Sequence, residues 1–412
     1  MEVLKKNIQN LKVNAEKQRK QGAADSDSDT SVKRALVKIK VFGVGGGGGN
    51  VLKRLSETGL KNVELIAVNT DAHALSLLNT ENIKEIQIGN STNGRGTGGK
   101  IELGEQAALK DADRLKNMMI GADIVFITAG MGGGTGTGAA PIIAEIAKIL
   151  GILTVGVVTI PFSFEGNRKQ QIATAGIEKM KSNMDALVVV QNDNLLKLPE
   201  NKNLSFMAAF KAVDSVLLQA IRCIAELILT TGFINVDFAD VTTIFQQSTS
   251  SDAILGIGQS NISAVKAVQN ALESPLIDRS LKGARGMILN ITGDDSLSLY
   301  EVNEAATYIF DQTEDEVNII FGVVINRKMN GVIQAMLIAT DFVDNSAAKK
   351  QLNFTTQQKN FQPQQRNSNF NKPVNQNSRF QNNPPPNKPQ QNFTPSNVIP
   401  AFGLVRDTKN DK

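Results

Sequence analysis

The chain has 412 residues, of which 41% are hydrophobic, with one cysteine and a formal net charge of +4. That length allows two or three domains around a substantial core, and the single Cys223 excludes an internal disulfide framework and fits a reducing compartment. No run of about twenty apolar residues occurs, and Met1-Glu-Val-Leu-Lys-Lys6 lacks a secretory apolar region, so a soluble cytoplasmic protein is expected.

Charge is unevenly spread. Residues 346–412 hold ten Lys/Arg against two Asp, and residues 1–34 hold eight Lys/Arg against five Asp/Glu, which leaves −7 for the body between them. An acidic body argues against nucleic acid as a partner, and basic ends suit acidic partners or an anionic membrane surface.

Residues 1–34 pass from a Lys-rich segment into Gly22-Ala-Ala-Asp-Ser-Asp-Ser-Asp-Thr30 and are expected to be a disordered extension. From residue 35 strands and helices alternate. The pattern predicts a strand over Val37–Phe42, a glycine loop over Gly43–Asn50 and a helix from Val51 to Glu57. Further strands are expected at Val63–Val68 and Ile83–Ile88, and a helix over Ile101–Met119. The apolar run Ile124–Ala129 then meets Met131-Gly-Gly-Gly-Thr-Gly-Thr-Gly138, and a helical pattern is read over Pro141–Leu150. Leu153–Ile160 and Leu187–Val190 are two more buried strands. The fold class is therefore α/β, with a doubly wound, mostly parallel sheet whose ligands bind beyond the carboxyl ends of the strands.

Gly132, Gly133, Gly134, Gly136 and Gly138 allow close backbone approach and positive φ, and Thr135 and Thr137 add hydroxyls ahead of a helix N-terminus. That combination reads as a phosphate cradle. Two other glycine motifs compete with it. Gly43-Val-Gly-Gly-Gly-Gly48 satisfies a dinucleotide fingerprint with Glu64 downstream, which supports an alternative NAD(P) oxidoreductase, but no catalytic arrangement for hydride transfer accompanies it. Gly94-Arg-Gly-Thr-Gly-Gly-Lys-Ile101 nearly matches a P-loop, with Ile101 where the Mg²⁺-binding hydroxyl belongs.

The Gly-Gly-Gly-Thr-Gly-Thr-Gly run resembles the signature loop of the tubulin/FtsZ superfamily. Over roughly residues 36–342 and a short C-terminal peptide, the chain is similar to the FtsZ family of bacterial cell-division GTPases. The resemblance implies a GTPase domain over 35–203, a central helix over 204–231 and a smaller α/β domain over 232–342. It also implies GTP/GDP and Mg²⁺ as ligands, with no direct protein ligand assigned to the metal. Gly46, Gly47, Gly48, Asn50 and Gly96 would join residues 132–138 around the nucleotide. Pro161-Phe-Ser-Phe-Glu-Gly166 resembles the family's ribose-side loop, with Glu165 placed for sugar hydroxyls. Lys169 stands where the family usually carries Arg, keeping the charge without the planar fork. Asn192 is suited to a base edge and Phe210 to stacking. Asp214, near the start of the long helix, accepts hydrogen bonds and donates none, which suits guanine and penalises adenine.

The long helix over 204–230 shows one apolar stripe: Val213, Val216, Leu217, Ala220, Ile221, Ile224, Leu227 and Ile228. After it comes Asn235-Val-Asp-Phe-Ala-Asp-Val241. Alone, Asp237 and Asp240 read as ordinary acids at a helix start. The resemblance implies instead that they complete the site on the neighbouring subunit of a head-to-tail homopolymer. Beyond residue 342, strands and helices give way to a Gln/Asn/Pro-rich linker over 343–395, expected to be disordered. The apolar patch at 396–412, with Ile399, Pro400 and Phe402, resembles the family's docking peptide for membrane tethers and regulators, so membrane contact is expected to be indirect. His73 has no metal-ligating neighbours in sequence, and Cys223 is expected to be a small core residue.

Overall fold

The computed structural model describes residues 37–342 apart from 79, 90–92, 198–203, 230–233, 235, 249, 275–276, 278–279, 282 and 314–316. The N-terminal extension, the linker and the docking peptide lie outside the described residues.

The apolar, β-branched segments become strands: β1 (Ile39–Val44), β2 (Val63–Asn69), β3 (Ile83–Gln87), β4 (Ile124–Gly130), β5 (Leu153–Ile160) and β6 (Ala186–Gln191). They pair in parallel in the order β3-β2-β1-β4-β5-β6. Helices α1 (Gly45–Glu57), α2 (Ala72–Ser76), α3 (Ile101–Lys110), α4 (Ala112–Met119), α5 (Gly134–Leu150), α6 (Asn167–Lys181) and α7 (Asn192–Leu196) connect them. The long helix α8 (Phe206–Leu229) and α9 (Phe238–Gln246) follow. Then come β7 (Asp252–Ser260), α10 (Ala264–Leu272), β8 (Gly286–Gly293), α11 (Leu299–Phe310), β9 (Asn318–Ile325) and β10 (Ile333–Thr340).

One ten-stranded sheet carries the whole sequence of strands, because β7 joins the edge of β6 through Leu187↔Asp252 and Val188↔Ala253. Beyond that junction β10 runs antiparallel between β7 and β8, and β9 closes the far edge parallel to β8. Alternate residues of β1 belong to opposite cores: Ile39 and Val41 to the one that holds Leu52, Leu55 and the stripe of α8, Phe42 and Val44 to the one that holds residues of α3, α5 and α6. This is the two-sided burial expected of parallel strands.

The stripe of α8 is buried as the periodicity indicates, from Val213 to Leu227, with Ile228 partly buried. The same buried cluster includes Leu255, Ile288 and Met336, so one continuous core links both halves of the sheet. Each large side chain buried there contributes about 1.5–3 kcal/mol. Cys223 belongs to this core, and burial pushes its thiol up to about 12.

Several boundaries differ from expectation. The first glycine run enters helix at Gly45 instead of remaining a loop, and α5 starts seven residues before Pro141. In both cases glycine is required by close packing, which overrides its poor helix propensity. The helix expected over 101–119 breaks at Asp111, whose carboxylate accepts from Gly89 N (2.9 Å) and pairs with Arg114. Strand β7 and helix α6 lack a clear signal in the sequence.

Candidate nucleotide site

β1 and β4 lie side by side, Val44 opposite Ala129, at the point where the strand order reverses direction. Both glycine turns follow at this switch point. Gly45 adopts φ +74° and packs on the second turn, where a Cβ would lie 3.2 Å from Gly136 N. Gly47 faces Gly130 N, with 3.3 Å available to a Cβ, and Gly48 is pressed against backbone of Gly43 and Thr128. Gly46 and Gly133 are the reverse case. Both are exposed, and a Cβ on either would meet nothing within 4 Å.

Helices α1 and α5 have no side-chain N-cap and no acidic residue in the first turn. Their leading N–H groups and positive dipole ends are thus available to an anion beside Gly46 and Gly133. The threonines serve the loop itself. Thr137 is fully buried and its hydroxyl accepts from Gly132 N (2.8 Å), closing the turn on itself, while Gly132 takes φ +97° against Pro161 and the Lys169 backbone. Thr135 Oγ1 shares a 2.7 Å hydrogen bond with Thr70 Oγ1 at the end of β2. Gly134 packs against Thr97, and Gly138 against the Ile101 backbone, which brings the loop before α3 under α5. Gly96, at φ +75°, donates its N–H to the Thr70 carbonyl (3.3 Å) and lies beside Asp71. Asn50 is exposed on α1.

The other end of the crevice is aromatic. Phe162 follows β5 and stacks on Phe164 (5.0 Å between centroids), and Phe210 meets Phe162 edge-on at 5.4 Å. Phe206 completes the group at 5.0 Å from Phe210. Glu165 accepts from Phe162 N (3.1 Å) and pairs with Lys169 (3.1 Å), so the Lys169 ammonium is anchored beside the loop expected to face a sugar. Asp193 accepts from Ser163 N (3.0 Å) and fixes the same turn. Asn192 is buried and its Oδ1 has no hydrogen-bond partner among the described residues, an acceptor that carries a cost unless something binds it.

Asp214 is the ninth residue of α8, in its first half, and its carboxylate lies 3.5 Å from Arg54 of α1. Burial raises its pKa to about 6, opposed by the Arg54 charge. Thr70, Thr97, Arg54 and Asp193 thus pack among the candidate site residues without having been assigned to the site from the sequence.

Asp237 and Asp240 do not join this constellation. Asp237 caps α9: its Oδ1 accepts from Asp240 N (2.9 Å), and Asp240 Oδ2 accepts from Asp237 N (3.1 Å). Helix α8 starts at the aromatic group, and its 24 residues span about 36 Å, delivering the acidic loop to the far end. Among the described residues no group of three or more His, Cys, Asp or Glu is arranged to hold a metal, and no helix is long and apolar enough to cross a membrane. Asn235 lies outside the described residues.

A parallel sheet in this order, with two uncapped glycine turns at its switch point, defines a nucleotide-binding α/β protein. Residues 38–200 match the Tubulin/FtsZ family, GTPase domain, and residues 251–343 match the FtsZ family, C-terminal domain. An FtsZ from M. jannaschii, solved as an empty dimer, is 37% identical with a TM-score of 0.69, over 79% of this chain and 92% of that one. A point mutant of FtsZ from the same organism is 38% identical at a TM-score of 0.70, over 76% and 93%. CetZ2 from Haloferax volcanii, solved as a GTPγS-bound protofilament, shares the fold at 20% identity and a TM-score of 0.63, over 78% of this chain and all of that one. The chain belongs to the FtsZ family and carries its GTPase domain.

Proposed function

We propose that the crevice binds GTP and GDP, that subunits stack head to tail into filaments, and that GTP is hydrolysed where one subunit's acidic loop meets its neighbour's nucleotide. In the cell these filaments form the cytokinetic ring at the division site, under the membrane. The observation that carries this reading is the distance between the two halves of the site. An uncapped anion cradle sits near the start of α8, and an acidic pair, Asp237 exposed and Asp240 half-buried, at its far end, so a single subunit does not bring both to one phosphate. A head-to-tail contact does, and such a contact propagates into an open filament. The M. jannaschii FtsZ solved as a dimer supports self-association.

The residues present fit the nucleotide. Gly46 and Gly133 leave room for phosphate oxygens, the N-termini of α1 and α5 supply donors, and the Asn192 acceptor awaits a base edge. Asp214 accepts from guanine, Phe210 packs against the base, and Glu165 faces the ribose. Asp237 and Asp240 of the adjoining subunit orient and polarise the attacking water, and positioning with electrostatics suffices for phosphoryl transfer. No protein side chain is assigned to Mg²⁺, which when bound with the nucleotide would supply charge neutralisation at the phosphates. Light scattering with GTP and Mg²⁺ against GDP tests the proposal: scattering should rise with GTP and decay as it is consumed. No rise with GTP, or a melting temperature raised by NAD(P)H instead, overturns it.

Asp214 gives a sharper expectation. Asp214→Asn places a donor where two guanine donors need acceptors, at a cost of about 1–3 kcal/mol in GTP affinity. The parent should also lose affinity as pH falls through about 6, because the carboxylate then takes up a proton. The nucleotide-free fold responds oppositely. A carboxyl raised above its unfolded value stabilises the fold when protonated, and that contribution is lost as pH rises through about 6. Titrating GDP binding from pH 5 to 8 checks the first, where the variant should show the weaker affinity and the flatter profile, and thermal unfolding of the nucleotide-free protein over the same range checks the second.

The docking peptide is proposed on composition and resemblance. Removing residues 396–412 should leave turnover and assembly intact while abolishing recruitment to the membrane in cells. Normal recruitment of the truncated chain would exclude Ile399, Pro400 and Phe402 as the contact.

A further inference from the structure

The acidic loop is held by more than the end of α8. Ile234 forms an antiparallel bridge with Val323 of β9: Ile234 N donates to the Val323 carbonyl (3.3 Å) and Val323 N to the Ile234 carbonyl (3.0 Å). Two residues on, Val236 is buried over Gly322. A Cβ at Gly322 would lie 2.8 Å from Val236 Cγ2 and 2.8 Å from Asn290 Oδ1. Asn290 is itself buried, with Nδ2 donating to Thr292 (3.3 Å) and Oδ1 without a partner among the described residues, and it borders the same space. The next residue after Val236 is Asp237, locked to Asp240 by their reciprocal hydrogen bonds.

Gly322 is not among the residues with positive φ, so backbone freedom does not explain a glycine there. Glycine weakens a strand, and inside one it marks close approach by another part of the chain. Here the approaching part is Val236. We propose that Gly322 is a positioning residue for GTP hydrolysis: the missing side chain sets how deeply Val236 seats on β9, and thereby where Asp237 and Asp240 are presented to the adjoining subunit. The inference rests on the reading that those two carboxylates complete the neighbour's site. Its physical basis is that small displacements of positioning groups carry large rate penalties, on the order of a hundredfold for 1 Å.

The test is Gly322→Ala in the full chain, with Asp240→Ala alongside. Turnover per sedimented subunit at saturating GTP should fall about tenfold or more in Gly322→Ala, with GTP affinity unchanged because the nucleotide crevice lies at the other end of α8. Adding Val236→Ala removes the Cγ2 contact and leaves only the Asn290 amide, the end of a rotatable side chain, to turn aside, and should restore turnover to within about threefold of the parent. A purely structural defect would lower thermal stability, GTP affinity and sedimentation together with turnover, whereas a misplaced loop lowers turnover alone. Parent-like turnover in Gly322→Ala overturns the inference, and so does a double variant no better than the single. If Gly322→Ala forms no filaments, the double variant is compared with Val236→Ala alone: equal turnover supports the proposal, and a loss in the double overturns it. Full turnover in Asp240→Ala would instead refute the acidic pair's role, which separates the two failures.

Discussion

Gly48→Ala is expected to destabilise the fold by about 1–3 kcal/mol and to weaken GTP binding, whereas Gly46→Ala, two residues earlier, should leave stability unchanged or slightly raised and weaken binding alone. The contrast follows from what each new methyl meets. At Gly48 it lies 2.6 Å from Gly43 C, 2.6 Å from Thr128 O and 2.9 Å from Gly43 Cα. All three are backbone atoms of β1 and β4, and none can rotate away. Helix α1 must lift from the sheet, carrying Gly46 and Gly47 out of register with the second turn. The better helix propensity of Ala returns about 1 kcal/mol, not enough to offset the clash. At Gly46 the methyl meets no protein atom within 4 Å, so it enters only the space assigned to the ligand. Thermal unfolding and GTP titration of both variants check this. Unchanged GTP affinity in Gly46→Ala would remove the first glycine turn from the cradle.

The same packing explains what the sequence leaves unread. Strands β1, β2, β4 and β5 are dominated by apolar, largely β-branched residues with few interruptions such as Lys40 and Glu64, and α8 repeats its apolar residues at helical spacing, so each is legible locally. The glycine turns are legible as a ligand cradle but not as helix. Glycine carries no periodicity and has poor helix propensity, and what makes Gly48 and Gly134 helical is the surface beneath them. Helix α6 buries only Ala173, Gly176, Ile177 and Met180, too thin a stripe to stand out among its charges. Strand β7 contains Gly256 and Gly258, both packed under α10, and glycine there hides a strand signal.

The site is legible where its parts are contiguous. Thr70 with Thr135, Arg54 with Asp214 and Ile234 with Val323 are pairs drawn together by topology, and one chain read alone gives no trace of them. Thr137 shows the limit within a motif. Its position in the glycine loop suggests a hydroxyl for the ligand, whereas the side chain turns inward to Gly132 N.

Shared catalysis predicts that two inactive chains become active when mixed. Asp240→Asn should bind GTP and assemble but hydrolyse it poorly. Asparagine is preferred to alanine here because Asp240 Oδ2 accepts from Asp237 N, and an amide oxygen preserves that bond while removing the charge. The partner variant needs a blocked cradle in an intact fold. Gly136 is a poor choice, since a Cβ there would lie 2.6 Å from the Gly130 carbonyl oxygen. Gly133→Asp is better: residue 133 is the N-cap of α5 at φ −93° with free space before it. Aspartate is favoured at such a position, yet its carboxylate takes the donors meant for phosphate and repels the incoming anion. In a one-to-one mixture, about one interface in four pairs an intact cradle with an intact loop if subunits join at random. Turnover should then reach about a quarter of the parent's, above either variant alone. Sedimentation of Gly133→Asp with Asp240→Asn establishes that both enter the same filaments. Co-sedimenting mixtures that stay as inactive as their components would place the whole catalytic site within one subunit, against the separation that α8 imposes.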